Sequence, residues 1–357
     1  MTTSPKPEEL TKLKADLHRL LDRLPELENN DLIQSSLEAI ALLSQNPTER
    51  LDWKLISGSL QDFQKAIALF HPHASTRKVS IFGSARTLPT TPEYQQAIDF
   101  AQCISAKGFM VITGGGGGIM AAGNQGAGKE HSFGLNISLP FEQVANGYVN
   151  DKFMNFKYFF TRKLFFLKES DAIALFPGGF GTQDEFFECL TLCQTGKATP
   201  RPLVLIDKPG GDYWQQWDAY IQKHLLTRGL ITEGDLNLYV ITDKVERACQ
   251  AIHDFYKVYH SSRWVKNLFV VRLNFDISDA HLDRLNQNFS DVLVQGRIQR
   301  SAALPQEKRE PHILSLPRLV MYFNQRNYGR LQQLILEINQ TCDDEILCHS
   351  EYHPESK

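Results

Sequence analysis

The stretch Ala172-Ile-Ala-Leu-Phe-Pro-Gly-Gly-Phe-Gly-Thr-Gln-Asp-Glu185 decides how the rest of the chain is interpreted. Its apolar run, 172–176, predicts a buried parallel strand that stops at Pro177. Three glycines then predict a tight turn, and Thr182 is predicted to open an amphipathic helix with Glu185 one turn inside it. A strand, a glycine turn and a helix N-terminus form an anion site, because free amides and the helix dipole attract negative charge. The stretch therefore predicts a phosphate site with a carboxylate beside it.

The composition is that of an ordinary soluble globular protein, with 357 residues of which 42% are hydrophobic and 22% charged. A formal net charge of −3 argues against a general nucleic-acid binder, which usually carries a basic excess. No apolar run approaches the roughly 18 residues of a membrane span. The first residues lack a secretory signal, so we expect a cytoplasmic protein without a membrane partner. The six cysteines lack metal-ligand spacing, which predicts buried reduced thiols and no metal site.

The pattern of apolar and polar residues changes three times along the chain, which predicts four segments. Residues 1–75 have leucines at helical spacing and predict a helical N-terminal segment. Residues 76–262 alternate short apolar runs with helical patterns, which predicts a nucleotide-binding catalytic domain with an α/β fold, a Rossmann-like doubly wound parallel sheet. Residues 263–341 predict a small C-terminal α+β unit, and 342–357 a polar tail. Ligands in such folds bind beyond the carboxyl ends of the strands.

The individual elements follow from the same patterns. Within the α/β domain the predicted strands are 79–82, 110–113, 133–139, 172–176, 203–206 and 238–241. The predicted helices are 94–107, 118–127, 156–169, 182–195, 214–228 and 244–259. In the C-terminal unit, strands are predicted at 268–275, 292–294 and 319–323, and helices at 278–288 and 328–339.

Two other strand ends are rich in small residues. The first predicted strand ends in Gly83-Ser84-Ala85-Arg86, which is either a phosphate or ribose contact or an ordinary turn. The second ends in Thr113 and the five glycines 114–118. So much glycine is costly for a turn alone, so a ligand or the neighbouring loop is expected to approach it closely. Gly116-x-Gly118-x-x-Ala121 also fits the dinucleotide fingerprint weakly, because it follows the second strand rather than the first.

The charged candidates are one pair of cations and three acids. Arg162 and Lys163 interrupt an otherwise apolar and aromatic helix just before the decisive strand, where they either bind an anion or extend to the surface of the helix. Glu185 is the candidate acid or base, but Asp184 and Glu188 compete with it near the same helix N-terminus. Each of these acids also compensates the helix dipole, which is their alternative role.

Together these motifs resemble the Lonely guy (LOG) family of nucleotide phosphoribohydrolases over about residues 78–260. The family signature Pro-Gly-Gly-x-Gly-Thr-x-x-Glu matches residues 177–185 at each fixed position. The glycine loop 114–127, the Arg-Lys pair 162–163 and the stretch Gly134-Leu-Asn-Ile-Ser-Leu-Pro-Phe-Glu-Gln143 are also similar. Where the family often has Met-His-x before Arg-Lys, this chain has Phe159-Phe160-Thr161, and it carries terminal extensions that the short cytokinin-activating members lack.

The resemblance implies hydrolysis of the N-glycosidic bond of nucleoside 5′-monophosphates, giving free base and ribose 5-phosphate without a cofactor. It implies Arg162 and Glu185 as catalytic residues. It further implies that nucleoside monophosphates are the substrate and that the protein is a homo-oligomer, a dimer or larger. The implied phosphate-binding residues are Gly178, Gly179, Gly181, Thr182 and Ser84, and the other implied substrate contacts are Gly115, Gly116, Gly117, Lys163 and Phe159.

Two alternative functions stay open on the sequence. The same fold can serve a non-catalytic nucleotide sensor or carrier, which would bind nucleotide tightly and release no base. The weak glycine fingerprint would fit a dinucleotide-dependent oxidoreductase. An acid facing an anion site favours the hydrolase, because a pure binder does not need that carboxylate.

Overall fold

The computed structural model describes residues 12, 15, 18 and 19 together with 21–138, 145–308 and 310–340. Its described residues fall into two compact units, Met1–Leu60 and Gln61–Lys357. The predicted tail, 342–357, lies outside the described residues. In the first unit, helix α1 (Asn30–Gln45) ends before Asn46 and Pro47. Helix α2 (Arg50–Phe70) begins three residues after that proline, and its residues from Gln61 onward belong to the second unit. The predicted segment boundaries at residues 75 and 262 stay predictions.

A seven-stranded parallel sheet organises the second unit. Its strands are β1 (Lys78–Phe82), β2 (Met110–Thr113), β3 (Ser132–Ile137), β4 (Phe153–Phe156), β5 (Ala172–Leu175), β6 (Leu203–Ile206) and β7 (Tyr239–Thr242). They lie in the order β4-β3-β2-β1-β5-β6-β7, and each neighbouring pair is parallel. The chain therefore builds outward from β1 on one side and returns to β1 with β5. The point between β1 and β5 is the topological switch of the sheet.

Helices cover both faces of this sheet, because alternate strand residues point to opposite sides. Val79 and Ile81 belong to one buried cluster and Phe82 to the other. The first face is covered by α3 (Pro92–Ala106), α4 (Ile119–Ala127) and α8 (Val245–Phe255). The second is covered by the last turns of α2 and by α5 (Phe159–Glu169), α6 (Phe180–Gln194) and α7 (Tyr213–Ile221). The predicted Rossmann-like fold class is confirmed.

A second, antiparallel sheet forms the C-terminal part of this unit. It consists of β8 (Tyr259–Val265), β9 (Leu268–Leu273), β10 (Leu293–Ser301) and β11 (Arg318–Phe323) in the order β10-β11-β9-β8. Helices α9 (Asp279–Asn288) and α10 (Tyr328–Ile338) accompany it, and its apolar side chains join the first of the two clusters. The predicted α+β character is confirmed. The sequence missed β8 and most of β10, because their polar, half-exposed residues lack a simple apolar alternation.

Several predicted boundaries were wrong at the ends of elements, and among them the helix predicted over 244–259 ends at Phe255. The helix predicted over 156–169 begins at Phe159, because the preceding residues up to Phe156 form β4. The helix predicted to open at Thr182 begins at Phe180, since the Gly179 carbonyl already accepts the amides of residues 182 and 183. The predicted helix 214–228 ends at Ile221 and continues as a π-helical turn, Gln222–Leu226.

Candidate active site

A cavity of about 960 Å³ lies at the topological switch of the parallel sheet. Its walls come from the loop after β1, the loop after β5 with the start of α6, and one face of α5. We call it the switch-point cavity. Its place beyond the carboxyl ends of the two diverging strands is where open α/β sheets bind their ligands.

Hydrogen bonds and close packing hold three loops together at this edge. The amide of Ser84 donates to the carbonyl of Pro177 over 3.1 Å, and the amide of Ile119 donates to the carbonyl of Ser84 over 3.0 Å. Gly118 has a φ of +63°, and a β-carbon there would lie 2.2 Å from the Ser84 oxygen. Part of the glycine run is therefore required for the close approach of the neighbouring loop.

Eight of the predicted site residues share the switch-point cavity. They are Ser84, Phe159, Arg162, Gly178, Gly179, Gly181, Thr182 and Glu185. Four predicted residues are not part of its described lining, namely Gly115, Gly116, Gly117 and Lys163. A β-carbon on Gly115 would lie 2.8 Å from the ring of Phe153, and the side-chain amide of Asn146 donates to the carbonyl of Gly116 over 3.0 Å. Their substrate-binding role stays a prediction, and packing between loops accounts for their geometry.

The loop after β5 presents the start of α6 to the cavity. The carbonyl of Gly179 accepts the amides of Thr182 and Gln183, at 3.0 and 3.1 Å, so the first turn closes on itself. The amides before this turn, those of Phe180 and Gly181, precede the first intrahelical bond, and α6 has no side-chain cap within the described residues. An uncapped helix N-terminus that lines a cavity is suited to an anion.

A tyrosine from another loop supports this turn. The hydroxyl of Tyr213 donates to the carbonyl of Gly178 over 2.6 Å and accepts from the side-chain amide of Gln183 over 2.8 Å. The carboxylate of Asp207, at the end of β6, accepts the amide of Tyr213 over 2.8 Å. A chain of hydrogen bonds thus links the end of β6 to the glycine turn.

Glu185 is a buried carboxylate between two cations. It is 6% exposed and lines the cavity, and its two oxygens lie 4.0 Å from the Arg162 guanidinium and 3.6 Å from the Lys163 ammonium. Burial raises the pKa of Glu185 above its ordinary value, and the charges of Lys163 and Arg162 oppose that rise only in part. A carboxyl group with a raised pKa inside a cavity is a candidate for acid–base or electrostatic chemistry.

The two competing acids serve a different purpose. Asp184 and Glu188 hold the ammonium of Lys163 over 2.8 and 2.9 Å, and neither lines the switch-point cavity. Burial alone would lower the pKa of Lys163, but its bonds to these two carboxylates raise it above the ordinary value. Lys163 is therefore a stably protonated ammonium that neutralises acids of α6.

Arg162 is the cation that faces the cavity. Its guanidinium carbon lies 5.1 Å from the ring centre of Phe159 and 5.7 Å from that of Phe166. Burial lowers the pKa of Arg162, with Glu185 opposing that shift, but an arginine stays charged. Its buried Nε has no hydrogen-bond partner within the described residues, and the same holds for Oε1 of Gln183, which also lines the cavity.

An acid of α2 positions the helix that carries these cations. Asp62 is 4% exposed, and its carboxylate accepts the amide of Lys157 over 3.1 Å and the hydroxyl of Thr161 over 2.6 Å. It also accepts the amide of Tyr158 over 3.4 Å. These groups belong to the start of α5, so Asp62 fixes the end of the helix nearest Arg162.

Sequence reasoning missed several lining residues, among them Arg86, Met120, Gln183 and Tyr213. Tyr213 follows the turn 209–211 at the end of β6, and this turn contains two glycines. A glycine-rich turn at the carboxyl end of a strand is also the signal that marks the loops after β1, β2 and β5. Gln183 occupies a variable position of the signature, where spacing alone carries no information.

Metal and thiol chemistry find no support in the part of the chain that the structure describes. It contains no group of three or more histidine, cysteine, aspartate or glutamate side chains that would hold a metal ion. Cys189 and Cys193 are buried reduced thiols, and burial raises the pKa of each. Nor is any helix in the described ranges both long and apolar enough to cross a bilayer.

Comparisons with known proteins match the same region. Residues 117–252 match the model of a family described as possible lysine decarboxylase. A cytokinin riboside 5′-monophosphate phosphoribohydrolase of Rhodococcoides fascians is 33% identical over 91 residues, which cover 26% of this chain and 44% of that protein. The match therefore spans less than half of the relative's length.

Solved structures show only remote likeness. A molybdenum cofactor binding protein of Rippkaea orientalis is 19% identical with a TM-score of 0.34, covering 49% of this chain and 93% of that one. A molybdenum cofactor carrier protein of Chlamydomonas reinhardtii is 18% identical with a TM-score of 0.36, covering 50% and 96%. At these scores neither likeness bears on function.

The signature from Pro177 to Glu185 lies at the switch point of a doubly wound sheet, and the family model matches the residues around it. Over the residues that these comparisons cover, this chain is similar to the LOG family.

Proposed function

We propose that this protein hydrolyses the N-glycosidic bond of nucleoside 5′-monophosphates. One observation carries the proposal, namely that a buried carboxylate, Glu185, and an uncapped helix N-terminus share one cavity. The unpartnered Nε of Arg162 and Oε1 of Gln183 support a ligand there, because buried polar atoms are rarely left without a hydrogen bond.

The 5′-phosphate binds at the start of α6. Gly178, Gly179 and Gly181 let the ligand approach the backbone, while Thr182 and Ser84 place hydroxyls at the cavity. Glu185 follows Phe180 by five residues, a rise of about 7.5 Å along the helix axis. Because the Glu185 carboxylate lines the same cavity, a sugar attached to that phosphate is expected to extend toward it.

The chemistry follows from this separation. Breaking the bond between C1′ and the base nitrogen leaves positive charge on the sugar, and an ionised carboxylate stabilises that charge. Water then adds its oxygen to C1′, and the base leaves with the electron pair of the broken bond and a proton. The phosphate, far from the reacting carbon, supplies the binding energy that holds the sugar against Glu185.

Lysine decarboxylation is a poor match to this site. A lysine that forms a Schiff base must lose its proton, whereas Lys163 is held by three carboxylates at 2.8, 2.9 and 3.6 Å, which favour its charged form. No lysine lines the described part of the switch-point cavity. These residues therefore do not support the lysine decarboxylation that the family description names.

The base is expected to lie against the aromatic side of the cavity. Phe159 is half exposed, lines the cavity and stacks with Arg162, so a planar base has a ring and a guanidinium to pack on. Residues 139–144 of the similar stretch lie outside the described residues. The curated relative is named for cytokinin riboside 5′-monophosphate. For this protein, assays with nucleotides of different bases will decide which base is preferred.

The test is a panel of nucleoside monophosphates incubated with purified protein and scored by chromatography for free base and ribose 5-phosphate. Glu185→Gln is expected to lower kcat/KM by about a hundredfold or more, with circular dichroism unchanged. Asp184→Asn and Glu188→Gln are matched controls, because they remove a neighbouring acid that does not line the cavity. Equal losses in all three variants would contradict the assignment of Glu185. Tight nucleotide binding without base release would favour the hypothesis that the protein is a non-catalytic nucleotide carrier or sensor.

Exposed apolar residues beside the cavity support the predicted homo-oligomer. Phe160, Leu164 and Phe180 are 53%, 48% and 96% exposed on α5 and α6. Such a surface is expected to be covered by a second copy of the chain. Light scattering after size exclusion should give a multiple of 40.6 kDa. Leu164→Asp should lower that mass, and Leu88→Asp, at a 63% exposed leucine outside these helices, should not.

A further inference from the structure

A second cavity, of about 550 Å³, lies at the other end of the strands that form the active site. Arg77 and Asp171 line it and stand directly before β1 and β5, the strands whose carboxyl ends reach the switch-point cavity. The rest of its wall comes from β8, β9, Tyr256 and the segments 74–75, 199–200 and 310–313. We call it the amino-end cavity. Its volume falls within the range of about 300–1,000 Å³ that small-molecule sites occupy.

Arg77 is buried in this wall and incompletely paired. It is 3% exposed, and its bonds to the Asp171 carboxylate and the His260 carbonyl are long, at 3.4 and 3.3 Å. The guanidinium lies 3.7 Å from the ring centre of Tyr256, and its Nε has no hydrogen-bond partner within the described residues. Leaving such a donor unsatisfied is costly, so a ligand with acceptor atoms is expected beside it.

The other charged groups of the cavity leave room for an anion. Arg272 is fully engaged by Glu307 and Glu310, over 2.7 and 2.6 Å. Among the described lining residues the charges of Arg77 and Arg272 are thus balanced by Asp171 and Glu310. Two imidazoles, those of His260 and His312, complete the lining. Each imidazole has a ring N–H that can donate a hydrogen bond to an acceptor atom in the cavity.

We propose that the amino-end cavity is a second ligand site that binds a small organic phosphate through Arg77, His260 and His312. Guanidinium and imidazolium groups donate charge-assisted hydrogen bonds to phosphate oxygens. The cavity is larger than a phosphate group alone needs, which leaves space for the organic part of the ligand. The site is separate from the proposed catalytic centre, since the two cavities share no lining residue.

The electrostatics of His260 link this binding to protons. Burial, followed by the charges of Arg77, Arg272 and His312, lowers the pKa of His260 to about 4, while Asp171 opposes the shift. Glu310 is the remaining charged group of the lining. A bound phosphate supplies negative charge, which raises the pKa of His260 from that value.

The test follows the histidine ring signals of the full chain by NMR, with pyrophosphate as the probe and citrate as a carboxylate control. Signals are assigned with His260→Gln, His312→Gln and His224→Gln. Millimolar pyrophosphate should shift the rings of His260 and His312 and leave His224, which lines neither cavity, unmoved.

Calorimetry separates this site from the proposed active site, which also binds phosphate. The His260→Gln/His312→Gln variant should lose about tenfold or more in affinity at one site and keep the base-release activity of the unaltered protein. Ring signals that stay unmoved by pyrophosphate, shifts caused by citrate alone, or a variant with unchanged isotherms would each overturn the proposal. None of these results depends on whether the switch-point cavity hydrolyses nucleotides.

Discussion

Replacing Asp62 tests whether one buried carboxylate positions the helix that carries Arg162. Asp62→Ala removes an acceptor from the amides of Lys157 and Tyr158 and from the hydroxyl of Thr161. A lost helix cap costs about 0.5–2 kcal/mol, and a lost hydrogen bond to a charged group about 1.5–3 kcal/mol. These contributions overlap, so we expect the free energy of unfolding to fall by about 3 kcal/mol.

Two further variants separate the contributions. Asp62→Asn keeps one acceptor oxygen and loses the charge, so it should cost about 1 kcal/mol. Thr161→Val removes the partner hydroxyl. In a double-mutant cycle the Asp62–Thr161 pair should show a coupling of about 1 kcal/mol or more, because the side chains are 2.6 Å apart in a buried site. Asp99→Ala, at an exposed acid on α3, is the control and should change stability by less than about 0.5 kcal/mol.

The assay is urea unfolding followed by tryptophan fluorescence, since Trp214 and Trp217 pack in the apolar cluster beside α6. Base release is measured on the same proteins. If Asp62 sets the position of Arg162, kcat/KM should fall by about tenfold or more in Asp62→Ala, even where the protein is fully folded. A stability loss below about 1 kcal/mol, a coupling near zero, or full activity in Asp62→Ala would refute the positioning role.

Three more outcomes follow from the structure. Because burial raises the pKa of Glu185, base release that needs its ionised form should decline as the pH falls, with a midpoint above 4.5; activity that is constant down to that pH would contradict this. Gly118→Ala should lower the free energy of unfolding by about 2 kcal/mol or more, since its β-carbon would strike a carbonyl 2.2 Å away, whereas Gly147→Ala meets nothing within 4 Å and should be neutral in the same urea assay. Hydrogen bonds from a backbone amide and two buried arginines outweigh burial and lower the pKa of Glu307 below 4.5, so its stabilising contribution is present above pH 4.5 and is lost as the pH falls through the lowered value. Glu307→Gln should therefore cost about 3 kcal/mol at neutral pH and flatten the acid limb of stability.

Much of the wall of the switch-point cavity was predictable because its signals are local. Gly178, Gly179, Gly181 and Thr182 follow an apolar strand directly, so a strand, a turn and a helix start can be identified in one short stretch. Arg162 lies on α5, the helix before that strand, and Glu185 lies on α6, the helix after it. The structure brings both to one cavity, as the order of elements in a doubly wound sheet leads one to expect.

Other parts of the site depend on packing between distant segments. Asp62 reaches α5 from a position 99 residues before Thr161, and no local pattern in α2 marks it. Tyr213 supports the glycine turn from the end of β6. The predicted helix start was wrong, because aromatic residues continue from β4 across Lys157 into α5 and no glycine or proline separates the two elements.

The amino-acid sequence by itself predicted the fold class and a glycine turn with three acids near it, because each prediction rests on a pattern in residues close along the chain. Only the tertiary structure decided which acid faces the cavity. Asp184, Glu185 and Glu188 share one helix, and their roles differ only through which side of α6 meets the switch point and which meets Lys163. The same holds for the run of glycines 114–118, whose packing against neighbouring loops exists only once β1, β2 and β5 lie side by side.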